Sequence, residues 1–136
     1  QRVSQQVVSA QRIAEHLTSA PHVTKVNYSG LGYTPQYELV GKYFPRGVGQ
    51  ILSFQVDGGA DSVRRIIDGT RLFSYVPNIG DARSLIVDPA HITHREVPAE
   101  ARIAAGVSDN LIRLSIGLED VNDLIADLDQ AIAAAY

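Results

Sequence analysis

Arg113 is the residue whose type and position most clearly offer chemistry. It lies in the run LIRLSI at 111–116, where the alternation of a β-strand sends the apolar residues to one face and Arg113 and Ser115 to the other. A guanidinium between apolar neighbours presents a planar fork that fits a carboxylate or a phosphate. A solvated or salt-bridged structural arginine is the commoner role for such a residue, and the strand pattern alone leaves both roles open.

Two further patterns offer less. His91 and His94 form an H-x-x-H pair, but no third histidine or cysteine is placed to complete a metal site, so we interpret both as polar loop residues. The glycine pairs at 30–32 and 47–49 lack the third glycine of a dinucleotide-binding loop and the lysine of a P-loop, and we interpret them as turns. The sequence has no cysteine and no G-x-S-x-G motif, so it offers no recognisable nucleophile.

The elements that must position these residues alternate between strand and helix patterns. Strands are predicted over 22–28, 51–56, 72–76, 84–87 and 111–116. Helices are predicted over 3–17, 37–43, 100–105 and from about 120 to the end, with solvent-facing carboxylates on the last. A further helix carries Val63, Ile66 and Ile67, is capped by Asp61 or Ser62 and stops at Gly69. We therefore predict an α+β fold, a small, largely antiparallel sheet with helices packed mainly on one side.

Composition narrows the possible classes of protein. A chain of 136 residues fits one domain, which we place over 1–136. A net charge of -3 with only two lysines gives no footprint for nucleic acid, and no apolar run approaches the roughly 20 residues that a membrane span needs. From these two observations we expect a protein that binds neither nucleic acid nor membrane. The absence of cysteine and of a signal-peptide pattern leads us to expect that it is cytoplasmic.

The first residues suggest how the chain is organised. The sequence begins with Gln1, and no Ser, Thr, Asp or Asn cap precedes the first helical pattern. We interpret this as a piece cut from a longer chain. A disordered or trimmed terminus is the alternative.

Three segments together resemble the Cys/Met-metabolism family of pyridoxal-phosphate enzymes. They are LIRLSIGLEDVNDLIADLDQ at 111–130, NIGDARSLIVDPAHITH at 78–94, and the pair VTKVNYSGL and GVGQILSFQVDGG, so the resemblance covers nearly the whole chain. It implies the C-terminal small domain of a fold-type I enzyme. It also implies that Arg113 binds the substrate α-carboxylate, that Ser84 with Leu85 helps to hold that carboxylate, and that Thr93 with His94 lines the site.

The loop at 78–83, NIGDAR, resembles the Asn-x-Gly-Asp-Ala loop of the family's O-acetylhomoserine sulfhydrylases. Cystathionine lyases and synthases commonly carry Gly-Gly and a glutamate there instead. The sequence also departs from the family pattern, with Asp88 where histidine is usual and His91-Ile92 where small hydroxyl residues are usual. Gln6 and Ser9 stand where His and Asn are common. A cystathionine γ-synthase, a γ-lyase and a non-catalytic ligand-binding module remain the alternatives.

The resemblance also implies parts that this sequence lacks. The family's Schiff-base lysine lies upstream, and neither Lys25 nor Lys42 stands in a matching motif. We therefore expect an upstream domain that binds pyridoxal phosphate, a parent enzyme that replaces acetate with sulfide or a thiol, and an inactive isolated chain. The family usually forms homotetramers, and we expect the same of the parent.

Overall fold

The strand that carries Arg113 lies at the centre of the sheet. The computed structural model describes all residues, 1–136, and orders five strands as β1-β2-β5-β4-β3. The strands are β1 (Val23–Asn27), β2 (Ile51–Val56), β3 (Ser74–Tyr75), β4 (Leu85–Val87) and β5 (Leu111–Ser115). Every neighbouring pair is antiparallel except β3 and β4 at the edge, which are parallel. The largely antiparallel sheet predicted from the sequence is confirmed.

The helices bury one face of this sheet. They are α1 (Arg2–Leu17), α2 (Val40–Tyr43), α3 (Ala60–Gly69), α4 (Ala99–Ala104) and α5 (Val121–Ala135). The apolar stripes of α1, α3 and α5 form one core cluster with alternate strand residues, among them Phe54, Ile112 and Leu114. The opposite face carries the polar residues of the same strands, as the alternation predicts. None of the helices combines the length and hydropathy needed to cross a membrane.

The start of α3 differs from the prediction. The helix begins at Ala60 with Gly59 at the cap position, and no side chain caps it. Gly58 has a φ of 86°, and it turns the chain at once after β2, so the helix starts before Asp61 or Ser62 can occupy the cap. Asp61 instead lies in the first turn, where its carboxylate accepts a hydrogen bond from Arg64.

Asp127 on α5 is also not where the sequence pattern placed it. The prediction that the carboxylates of the last helix face solvent is wrong for this residue, which is 6% exposed. Its carboxylate accepts hydrogen bonds from the backbone N–H groups of Arg71 and Leu72, at 2.8 to 3.0 Å. Asp127 therefore fastens the segment that follows α3 to the middle of α5.

Replacing Asp127 with alanine is expected to destabilise the chain. The substitution leaves two backbone donors without their charged acceptor, and hydrogen bonds to charged groups contribute about 1.5 to 3 kcal/mol each. The free energy of unfolding from urea titration should fall by at least about 1.5 kcal/mol. Asp68→Ala is the matched control, because Asp68 on α3 is exposed, and it should change the value by less than about 0.5 kcal/mol. Equal urea midpoints for Asp127→Ala and the wild type would contradict the assignment.

Candidate functional site

Arg113 is held in the middle of the sheet with its charge unneutralised. It pairs in register with Ser53 of β2 on one side and with Val87 of β4 on the other. Its Nη2 donates to the Asn78 carbonyl oxygen at 3.1 Å, and no carboxylate lies within ion-pair distance among the salt bridges of the chain. Its Nε is buried and has no hydrogen-bond partner.

This environment bears on the two roles that the sequence left open for Arg113. Burial lowers the pKa of the guanidinium, but an arginine side chain stays protonated at neutral pH. A buried donor without a partner costs about 1 to 3 kcal/mol, so a purely structural arginine is normally paired. Within this chain Arg113 makes no salt bridge, and its free Nε–H and charge suit an anion from outside it.

A cavity of about 250 Å³ lies beside Arg113 on the face of the sheet away from the three core helices. Asn27, Ser53 and Arg113 form a polar row across β1, β2 and β5, and the amide of Asn27 donates to the Ser53 hydroxyl at 3.2 Å. Ile51 and Leu111 provide apolar wall, and His94 lines the cavity from the segment after β4. The cavity thus combines one cation, neutral hydrogen-bonding groups and apolar surface, which suits a small amphipathic anion.

Thr93 reaches this cavity only through its neighbour. The Thr93 side chain is exposed; its hydroxyl donates to the Pro89 carbonyl oxygen at 3.2 Å and lies 2.8 Å from Nδ1 of His94. Thr93 therefore orients the His94 ring beside Arg113. Direct contact between Thr93 and a ligand stays a prediction.

His91 and His94 belong to different surroundings. Nδ1 of His91 lies 2.6 Å from the Asp88 carboxylate, whereas His94 contacts Thr93. Asp88 and His91 are two of the departures from the family pattern, and they form one interacting pair. No group of three metal-ligating side chains occurs in the chain.

Ser84 faces the protein interior. It is 0% exposed, and its hydroxyl donates to Glu119 and accepts from the N–H of Gly117, both at 2.8 Å. Its own N–H donates to the other Glu119 oxygen at 2.8 Å. The hydroxyl is therefore occupied within the chain, and its contact with a substrate carboxylate stays a prediction.

Asp120 is the residue that caps α5, accepting from the second and third backbone N–H groups that follow it.

Sequence reasoning missed the residues that hold the loop at 78–84. Ser115 accepts a hydrogen bond from the N–H of Gly80 at 3.2 Å, and the buried Gln6 of α1 donates to the Asp81 carbonyl oxygen at 2.8 Å. A Cβ atom at Gly117 would lie 2.4 to 2.5 Å from the loop backbone, so only glycine allows this close approach. A glutamine on the buried stripe of α1 was the available signal, because a buried amide needs a partner.

Comparison with known proteins identifies the family to which the chain belongs. Residues 1–133 match the family model described as Cys/Met metabolism PLP-dependent enzyme. An O-acetyl-L-homoserine sulfhydrylase from Leptospira meyeri is 41% identical over 91% of this chain, and a cystathionine gamma-lyase from Saccharomyces cerevisiae is 41% identical over 98% of it. This chain covers 28% and 34% of those two proteins, so it spans about a third of the length of its relatives.

Solved structures give the same result. A protein assigned as an O-acetylhomoserine (thiol)-lyase from Campylobacter jejuni superposes with a TM-score of 0.92 at 40% identity, over 97% of this chain and 31% of that one. That structure contains N'-pyridoxyl-lysine-5'-monophosphate. Yeast cystathionine gamma-lyase superposes with a TM-score of 0.93 at 41% identity, over 98% of this chain and 35% of that one. The family's cofactor is pyridoxal phosphate.

Ser84→Ala separates the two possible roles of that hydroxyl. If the hydroxyl is structural, its loss leaves the Gly117 N–H without an acceptor, and the free energy of unfolding of this chain should fall by about 1 to 3 kcal/mol. Ser29→Ala is the control, because Ser29 is exposed and should tolerate the change. Unchanged stability in urea, together with weaker substrate binding by the full-length enzyme, would instead favour direct contact with the carboxylate.

Proposed function

The chain belongs to the Cys/Met-metabolism family of pyridoxal-phosphate-dependent enzymes, and from that premise we propose that residues 1–136 form the substrate-carboxylate-binding domain of an O-acetylhomoserine sulfhydrylase. The observation that carries the proposal is the half-buried Arg113, which lines a cavity, has no acidic partner and has a buried Nε–H without a hydrogen-bond partner. A guanidinium binds a carboxylate through two parallel hydrogen bonds, so it can both hold and orient an amino-acid substrate.

The residues of this chain fit the substrate's anion but not the cofactor. The cavity beside Arg113 contains no lysine; Lys25 is exposed on β1, and Lys42 is exposed near the ring of Tyr43. We therefore place the cofactor in a further domain of the parent enzyme, upstream of this segment, together with the lysine that binds it. Pyridoxal phosphate, when bound there, supplies the electron sink for bonds at the substrate α carbon. In the same proposal the parent is a cytoplasmic homotetramer.

Arg113 contributes binding and orientation to the proposed reaction. In that reaction the bond from Cγ to the acetate oxygen breaks, and a bond from Cγ to sulfur forms, which converts O-acetylhomoserine and sulfide into homocysteine and acetate. Methanethiol in place of sulfide gives methionine. Fixing the carboxylate against the rigid central strand limits rotation of the substrate, so that its C–H bonds face the groups that remove protons. His94 and the apolar wall enclose the same space.

A γ-lyase is the second candidate, because the identity to yeast cystathionine gamma-lyase equals that to the Leptospira sulfhydrylase, at 41%. The resemblance of the loop at 78–83 to the sulfhydrylase loop favours the first candidate.

Substrate profiling of the full-length enzyme distinguishes these two candidates. A sulfhydrylase should form homocysteine from O-acetylhomoserine in the presence of sulfide, with kcat/KM at least about tenfold above that for cleavage of cystathionine, a difference of about 1.4 kcal/mol in transition-state stabilisation. Assays with each substrate on one preparation measure the ratio. A higher kcat/KM for cystathionine would assign the γ-lyase.

Arg113→Ala tests the carboxylate clamp. Removing one partner of a buried charge pair costs about 2 to 5 kcal/mol. Each 1.36 kcal/mol is a factor of about ten, so kcat/KM of the full-length enzyme for O-acetylhomoserine should fall at least about thirtyfold. Arg113→Lys should recover only part of the loss, because an ammonium keeps the charge without the planar fork.

Stability measured on the same preparations excludes a trivial loss of folding. Arg65→Ala on the exposed side of α3 is the control and should leave both kcat/KM and the melting temperature near those of the wild type. An Arg113→Ala enzyme with a lower melting temperature and unchanged kcat/KM would remove Arg113 from the substrate site.

A further inference from the structure

The position of the Arg113 guanidinium depends on the loop at 78–84. The only hydrogen bond that the Arg113 side chain makes in the chain is to the carbonyl oxygen of Asn78, at 3.1 Å, where this loop begins. The loop contains no helix or strand between β3 and β4. Its backbone must therefore be fixed by contacts with other parts of the protein.

Glu119 makes two side-chain hydrogen bonds to that loop, whereas Gln6, Ser115 and Arg113 make one each. One carboxylate oxygen accepts from the N–H of Ser84 and the other from the Ser84 hydroxyl, both at 2.8 Å. The neighbouring backbone extends the same attachment, because Gly117 donates to the Ser84 hydroxyl and Leu118 donates to the Ala82 carbonyl oxygen, each at 2.8 Å. The end of β5 and the end of the loop are thus joined by four hydrogen bonds.

A carboxylate suits this contact better than a neutral group does. Both groups that face Glu119 are donors, and an ionised carboxylate accepts at both of its oxygens and donates at neither. An amide of the same shape can accept from the Ser84 N–H, but its NH₂ group then faces the Ser84 hydroxyl. The hydroxyl, which already accepts from Gly117, would have to accept a second time and give up the bond that it donates. Charge-assisted bonds would also be replaced by weaker neutral ones. Glu119 makes no salt bridge in the chain, and Asp120 performs the capping of α5, so neither of those roles accounts for the carboxylate.

We propose that Glu119 is a positioning residue for the substrate carboxylate: by holding Ser84 it fixes the loop at 78–84, so that the Asn78 carbonyl keeps the Arg113 guanidinium in place beside the cavity. The proposal rests on the proposed function, because it assumes that Arg113 binds the substrate. Glu119 acts at one end of the loop, and Ser115 supports it at Gly80, closer to Asn78.

Glu119→Gln in the full-length enzyme is the test. A loosened loop weakens the grip on the carboxylate in the ground state and the transition state alike, so KM for O-acetylhomoserine should rise about tenfold while kcat changes less than about twofold. In the Arg113→Ala background the same substitution should have almost no further effect, because non-additivity identifies residues that act through one another. Asp123→Asn is the matched control: Asp123 is an exposed carboxylate on α5 whose side chain bonds to nothing, and KM should not change.

The outcomes separate this proposal from the one it rests on. If Arg113→Ala lowers kcat/KM but Glu119→Gln leaves KM unchanged, the clamp stands and the role of Glu119 is overturned. An equal rise in KM in the wild-type and Arg113→Ala backgrounds also overturns it, because Glu119 then acts independently of Arg113. If Arg113→Ala leaves kcat/KM unchanged, the proposed function itself fails. Should Glu119→Gln not fold, Glu119→Asp, which keeps the charge but shortens the reach, is expected to raise KM in the same Arg113-dependent way, and an unchanged KM overturns the proposal.

Discussion

A half-buried guanidinium without an acidic partner is the constraint around which the open face of this sheet is organised. Such a group loses part of its hydration, and nothing in the chain neutralises it. The fold accommodates this cost by placing Arg113 on the central strand, where β2 and β4 fix its backbone on both sides. The main core cluster that stabilises these strands lies on the other face, and Leu85, Val87 and Leu111 add buried apolar surface on the face of Arg113.

The loop at 78–84, which bonds to the Arg113 side chain, is also held in a fixed position. The loop at 78–84 has no regular structure, yet α1, β5 and the turn after β5 each contribute a hydrogen bond to it, through Gln6, Ser115 and Glu119. Gly117 permits the backbone contact that brings the turn against the loop. The paired departures Asp88 and His91 stabilise the segment that leads from β4 to His94. The cavity thus has strand residues as its main lining, with irregular segments contributing Pro89, His94 and Val107.

Strand faces and helices could be predicted from the sequence because they depend on local periodicity. Contacts between residues far apart in the chain could not. Alternation in the run at 111–116 gave the faces of β5 correctly, and helical spacing gave α1 and α5. The helical pattern alone predicts that Asp127 faces solvent, because the backbone groups that donate to it lie 55 and 56 residues away and no local pattern reports them. Ser84 is a related case. The family resemblance attaches a role to the residue, but whether its hydroxyl faces a ligand or Glu119 is a matter of three-dimensional packing.

The proposed role of Arg113 as a clamp for the α-carboxylate is consistent with the equal similarity of the chain to proteins of different activities. Every amino-acid substrate carries that carboxylate, so a guanidinium that binds it would suit a sulfhydrylase and a γ-lyase equally, and the chain is 41% identical to one of each. Specificity must come from groups that contact the part of the substrate beyond Cβ. Within this chain, His94 and the loop at 78–84 lie beside the clamp, close enough to Arg113 to line its cavity or bond to it. If the clamp is shared, residues of this loop are where the activities of the family should diverge, because a change there alters the space around the substrate without removing the cation that holds it.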